Sequence, residues 1–121
     1  MDLEFTAAAR PEPVSEFVQR RQKLVGRIDQ QIGYVRQIIE GKQVRAAWAW
    51  LDEAGIYLLP IKYGRHALEL KKGMYSVACK DLDEVEHALC TIRAMVLDGQ
   101  FDAHLKKVSS EIRDRLTKRN K

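Results

Sequence analysis

Little in this sequence is equipped for catalysis or for covalent stapling. Its 121 residues include only two cysteines and three histidines. Cys79 and Cys90 belong to no redox or metal motif, and two such thiols fit a reduced, cytoplasmic chain better than a secreted disulfide scaffold. His66, His87 and His104 fall on three different elements, with no Cys-x-x-Cys or His-Glu-x-x-His spacing. His87 and Cys90 stand one helical turn apart with Cys79 upstream, but two small structural thiols and a surface imidazole explain these residues more simply. There is no Gly-x-Ser-x-Gly elbow, phosphate loop or dinucleotide fingerprint. No apolar run approaches the roughly 18 residues of a membrane span, and the first ten residues lack the basic and apolar regions of a secretory signal. These absences predict a cytoplasmic, non-catalytic protein with no cofactor, no metal site and no membrane contact.

What is present is a globular balance of 45% apolar and 31% charged residues, in a length suited to one domain. The net charge of +4 is placed unevenly. Residues 102–121 carry seven Lys+Arg against three Asp+Glu, while the rest of the chain has equal numbers of each. Such a segment either grips phosphates or complements a helix C-terminus.

Residues 1–14, with Pro11 and Pro13, read as a flexible N-terminal arm. A single α+β domain is expected over 15–117, followed by a basic tail end at 118–121. Ser15 is a candidate N-cap for a long helix reaching about Glu40. Nine of twelve successive g, a and d positions there are apolar, the exceptions being Arg21, Gln31 and Lys42. From Arg45 to Cys79 the apolar period changes to two. Gly64-Arg65 and Lys72-Gly73 are tight turns, and Asp52–Gly55 is a looser connection. This predicts a four-stranded antiparallel meander pairing Trp50 with Tyr57, Leu59 with Leu70, Ile61 with Leu68 and Tyr63 with His66. Pro60 marks a bulge or an unpaired position. Asp81-Leu82-Asp83-Glu84 is a capping-box pattern opening a helix to about Leu97, stopped by Asp98-Gly99. Phe101, Leu105, Val108, Ile112 and Leu116 mark a last helix. The expected fold is thus a long N-terminal helix, the meander, and two C-terminal helices.

The meander register gathers Trp48, Trp50, Tyr57, Leu59, Ile61, Tyr63, Leu68, Leu70, Tyr75 and Val77 on one face. This is the composition of a core, so truncating either Trp should cost about 3–5 kcal/mol. The opposite face, with Ala47, Ala49, Leu51, Ile56, Leu58, Ala67, Met74 and Ala78, is more apolar than a solvated face. Either the third helix covers it or a partner does. Candidate partner-binding residues are Ala47, Ala49 and Leu58, edged by Lys62, Arg65 and Lys71. The alternative, a nucleic-acid surface, would use Arg20, Lys23 and Arg27 of the first helix with Lys106, Lys107, Arg113, Lys118 and Arg119. A double-stranded-RNA-binding domain has a related element order, but Lys80-Asp81-Leu82-Asp83-Glu84 at the start of the penultimate helix would repel phosphates.

Arg20-Arg21-Gln22-Lys23-Leu24, Trp48-x-Trp50, Ile61-Lys62-Tyr63-Gly64, Leu68-Glu69-Leu70 with Gly73, and Asp98-Gly99-x-Phe101-Asp102 follow one another in the chain. In this combination the chain resembles a family of short proteobacterial proteins of unknown function found on mobile and phage-related DNA. The resemblance spans about residues 17–108. Members of that family have a longer basic loop where this chain has only Gly41–Arg45. The resemblance implies a mobile-element setting and no catalytic residues. Together these features predict a small protein-binding module that inhibits or modulates a host or element-encoded complex. The alternative is a nucleic-acid-binding accessory protein, and either allows a homodimer.

Overall fold

A computed structural model of the chain describes residues 3–8 and 15–119, the side chains of 116–119 excepted. The proline-bearing part of the expected arm, residues 9–14, lies outside them. The element order is α1 (Glu16–Ile39), β1 (Trp50–Leu51), β2 (Tyr57–Pro60), β3 (Lys62–Tyr63), β4 (His66–Ala67), β5 (Ser76–Cys79), α2 (Leu82–Leu97) and α3 (Asp102–Arg119). The α+β class holds, with the long helix first and two helices last.

α1 and α2 pack antiparallel, as their ion pairs show. Arg36 Nε meets Glu86 Oε1 at 2.7 Å, and seven residues back on α1, seven forward on α2, Arg93 Nε meets Asp29 Oδ1 at 2.7 Å. Between the helices lie Leu24, Ile28, Val35, Val85, Leu89 and Val96, all buried. Leu59, Ile61 and Leu68 from the strands and Phe101 and Leu105 from α3 complete one continuous core. Its apolar burial is the dominant stabilising term.

α2 begins on Asp81, whose carboxylate accepts the Glu84 N–H at 2.9 Å. Glu84 reaches back to the Lys80 N–H, one residue earlier than a standard capping box. α2 ends in a Schellman turn, with Gly99 N–H donating to the Val96 carbonyl and Gln100 N–H to the Met95 carbonyl. Gly99 holds φ +85°, which the sequence signal Asp98-Gly99 anticipates.

All strands are antiparallel, but they form a three-stranded sheet in the order β1-β2-β5 and a separate β3-β4 hairpin, not one four-stranded meander. The division falls at Pro60. With no N–H to donate, it ends β2, and the chain turns into the hairpin two residues later. The Gly64-Arg65 turn is as expected, with Gly64 at φ +64° and Tyr63 paired to His66. Leu68 N–H reaches the Ile61 carbonyl at 2.8 Å, continuing that hairpin. The expected partnership of Leu59 with Leu70 is replaced, because β5 bypasses the hairpin and pairs Leu59 with Val77.

A second correction concerns the loop before β2. The Asp52 carboxylate accepts the N–H groups of Ala54 and Ile56, both at 2.9 Å, and the Asp52 N–H donates to the Ile56 carbonyl. Asp52 is therefore opposite Ile56, which puts Trp50 opposite Leu58 and Leu51 opposite Tyr57. This is one residue away from the expected register, and a one-residue slip turns every side chain to the other face. Trp50 consequently lies on the outer face and is 54% exposed, whereas Trp48 packs against the core. The expectation that both tryptophans are core residues fails for Trp50. It also fails for Tyr75, which is exposed and donates its hydroxyl to Glu69 Oε2 at 2.9 Å.

Candidate interaction surfaces

The outer face of the three-stranded sheet is built from alternate residues of its strands. Trp50 on β1 lies opposite Leu58 on β2, and Leu58 lies opposite Ala78 on β5. Ile56, two residues before Leu58, extends the same face. Leu58 is half-buried, while Trp50, Ile56 and Ala78 are exposed, so no other described element covers this strip. α3 instead packs beside α1 and the β3-β4 hairpin.

The six expected partner-binding residues do not share this face. Leu58 occupies its centre. Ala49 is half-buried and packed against the core, and Ala47 is half-buried in the turn before β1. Lys62 and Arg65 belong to the separate hairpin, and Lys71 lies at an isolated bridge to Met74. Trp50 is the residue that sequence reasoning assigned to the wrong face. The three residues lying between Asp52 and Ile56 were the available signal, since an Asx-type turn at Asp52 fixes the register.

The alternative set is brought together in part. Arg20, Lys23 and Arg27 follow i, i+3, i+7 spacing and so share one face of α1. Arg20, Lys23 and Arg113 line a depression of about 260 Å³ at the α1–α3 seam, with Glu16, Gln19, Tyr63 and Ser109. Lys106 lies on an adjoining depression beside Phe17, Arg20 and Asp102. Arg20 pairs with Glu16 at 3.2 Å, and the Lys23 ammonium stands 5.4 Å from the Tyr63 ring centroid. Lys107 points elsewhere, into a cleft of about 410 Å³ between α3 and the segment 66–75. The side chains of Lys118 and Arg119 lie outside the described residues.

That larger cleft carries His66, Glu69, Tyr75, His104 and Glu111. The Glu69 hydrogen bond holds the Tyr75 phenol above its ordinary pKa, so it is a poor proton donor at neutral pH. Among the described residues no group of three or more His, Cys, Asp or Glu side chains is arranged to hold a metal ion. Cys79 is buried, and loss of solvation pushes its thiol pKa up, while Cys90 is exposed on α2. Among the described residues no helix is long and apolar enough to cross a membrane.

No family model matches this chain, and neither a curated protein nor a solved structure does. The surfaces above are therefore what bears on function.

Proposed function

We propose that the chain is a non-catalytic protein-binding module whose docking face is the outer side of the β1-β2-β5 sheet. The observation that carries this reading is Trp50, a large aromatic held more than half exposed on the edge strand of an apolar strip with Ile56, Leu58 and Ala78. Exposed contiguous apolar surface is rare on monomers unless it meets something, and Trp is prominent among the residues that dominate binding energy. A strip of Trp50, Ile56, Leu58 and Ala78, none of them charged, suits an apolar protein surface better than a phosphate backbone. The resemblance to short proteins of mobile and phage-related DNA adds the setting, in which such a module would inhibit or modulate a host or element-encoded complex.

Affinity capture with the wild-type chain and with Leu58→Asp and Trp50→Asp, each after nuclease treatment, tests the reading. A partner retained by the wild type and lost with both variants supports it. Capture unaffected by both variants overturns it.

A second reading rests on Arg20, Lys23 and Arg113 converging at the α1–α3 seam with Lys106 adjacent. These cations would grip a nucleic-acid backbone, with affinity falling steeply as salt rises. Binding lost in Lys23→Glu and Arg113→Glu, and indifferent to Leu58→Asp, would favour it over the sheet face.

A further inference from the structure

We propose that the N-terminal arm of one copy adds as an extended strand to the β1 edge of a second copy, reciprocally, so that the chain forms a two-fold dimer. This goes beyond the docking face, because it uses the sheet's edge and not its outer side. β1 is one of the two edge strands of the sheet, and its two side chains point to opposite faces. Both are more than half exposed, Trp50 at 54% and Leu51 at 55%. Edge strands are ordinarily shielded by shortness, charge, proline or a bulge; this one is two residues long, and both are large and apolar.

The arm supplies a matching strand. Leu3, Phe5 and Ala7 alternate with Glu4 and Thr6, the period of a half-buried strand, yet residues 3–8 join no sheet. Leu3 is 75% exposed and Phe5 is 88% exposed, so the arm finds no apolar cover on its own body. Added beside β1, Phe5 and Leu3 would extend the apolar side that Trp50 begins, and main-chain hydrogen bonds would fill the open edge.

Charge selects the orientation. Residues 1–8 hold Asp2 and Glu4 and no Lys or Arg, while the approach to β1, residues 41–51, holds Lys42 and Arg45 and no Asp or Glu. Arg45 is exposed and has no ion pair among the described residues. A parallel strand turns the acidic start of the arm toward this basic approach.

Reach favours a second copy. The Gln31 side chain holds Trp48, and Gln31 lies sixteen residues beyond Ser15 on α1. About 24 Å of helix thus separates the root of the arm from the level of β1. The ten residues from Phe5 to Ser15 span at most about 35 Å, so an own-chain contact uses at least about two thirds of that reach. A second copy meets the same edge without that constraint, and the exchange closes both edges at once.

Light scattering coupled to size exclusion, on the full chain from micromolar to millimolar concentration, tests the proposal. The expected result is twice the 13.9 kDa chain mass, with Phe5→Asp and Leu51→Asp each weakening the dimer by about tenfold or more. Both substitutions are at exposed positions, so the fold is not at stake. A chain that stays monomeric throughout overturns the proposal, as does a dimer indifferent to Phe5→Asp. A monomer whose tryptophan emission shifts on Phe5→Asp also overturns it, assigning the arm to its own edge. Loss of dimer in Phe5→Asp with partner capture intact leaves the sheet-face reading standing, so the two readings fail separately.

Discussion

The Gln31 side chain spans the turn that leads into β1, accepting the Trp48 N–H on Oε1 at 2.7 Å and donating from Nε2 to the Ala46 carbonyl at 3.1 Å. Gln31 is only 4% exposed, in the middle of the apolar stripe of α1. One amide thus satisfies two backbone groups of a segment that has no ladder of its own there, and it fixes where the sheet starts relative to the helix. Gln31→Leu should leave both groups without their partner. The expected cost is about 1–3 kcal/mol in urea unfolding, although the substitution adds apolar bulk. A variant as stable as the wild type would show that water replaces the amide freely.

Arg21 makes a comparable tie nearer the start of α1. Its Nε donates to Asp102 Oδ1 at 2.8 Å, and Nη2 pairs with Oδ2, joining α1 to the start of α3. The hydrogen bond from Arg21 holds the Asp102 carboxyl below its ordinary pKa, with the Arg21 charge acting in the same direction. A carboxylate whose pKa is depressed by folding contributes stability that is fully present above its unfolded value of about 3.9 and is lost as pH falls through the folded one. Asp102→Asn should therefore lower stability near neutral pH and flatten its decline below about pH 4. Parallel curves for the two proteins in acid would exclude this pair as a source of the pH dependence.

These two ties explain what the sequence conceals. Arg21 and Gln31 interrupt the apolar pattern of α1, and a pattern argument can count them only as mismatches. The structure uses both as the polar joints between α1 and its neighbours. Lys42, the third exception, lies beyond the end of the helix. Helix positions, the Asp81 cap, the Gly99 stop and the Gly64 turn were all legible, because each depends on residues close in sequence. The strand partners were not. Whether Leu59 faces Leu70 or Val77 depends on the chain changing sheets after Pro60, and local alternation is the same for both. The face of Trp50 turned on one residue of loop length at Asp52, which composition cannot count.

Gly99 has two reasons to be glycine. Its φ of +85° disfavours any side chain, and a Cβ there would stand 2.6 Å from Arg21 Nη2. Gly99→Ala should cost about 1–2 kcal/mol from the backbone alone, with displacement of Arg21 adding to it. If the displacement is real, the cost should be smaller when Asp102→Asn has already loosened Arg21. Strict additivity of the two changes would confine the effect of Gly99→Ala to its backbone.

The two thiols should separate chemically. Cys90 is exposed on α2, whereas Cys79 is buried at the end of β5 with its thiol pKa pushed up by loss of solvation. Only the thiolate attacks iodoacetamide, so both access and acidity disfavour Cys79. Mass spectrometry of the folded chain at mildly alkaline pH should find Cys90 modified first and Cys79 only once the chain unfolds. Equal labelling of both would show that β5 opens readily.

The corrected register makes the sharpest test, because it reverses the ranking that composition suggests. Trp50 is the larger residue, but it lies on the open outer face, while Ile61 is fully buried where the chain turns from β2 into the hairpin. Removing Ile61 leaves a cavity that rigid neighbours from the helices cannot fill, so Ile61→Ala should cost about 2–5 kcal/mol. Trp50→Ala removes a cross-strand contact with Leu58 and little burial, so it should cost below about 1 kcal/mol. Had Trp50 paired with Tyr57 on the core face, the two costs would be similar. Urea unfolding of the two variants therefore reads the register directly. A Trp50→Ala chain as unstable as Ile61→Ala would return Trp50 to the interior and remove the aromatic residue of the proposed docking face.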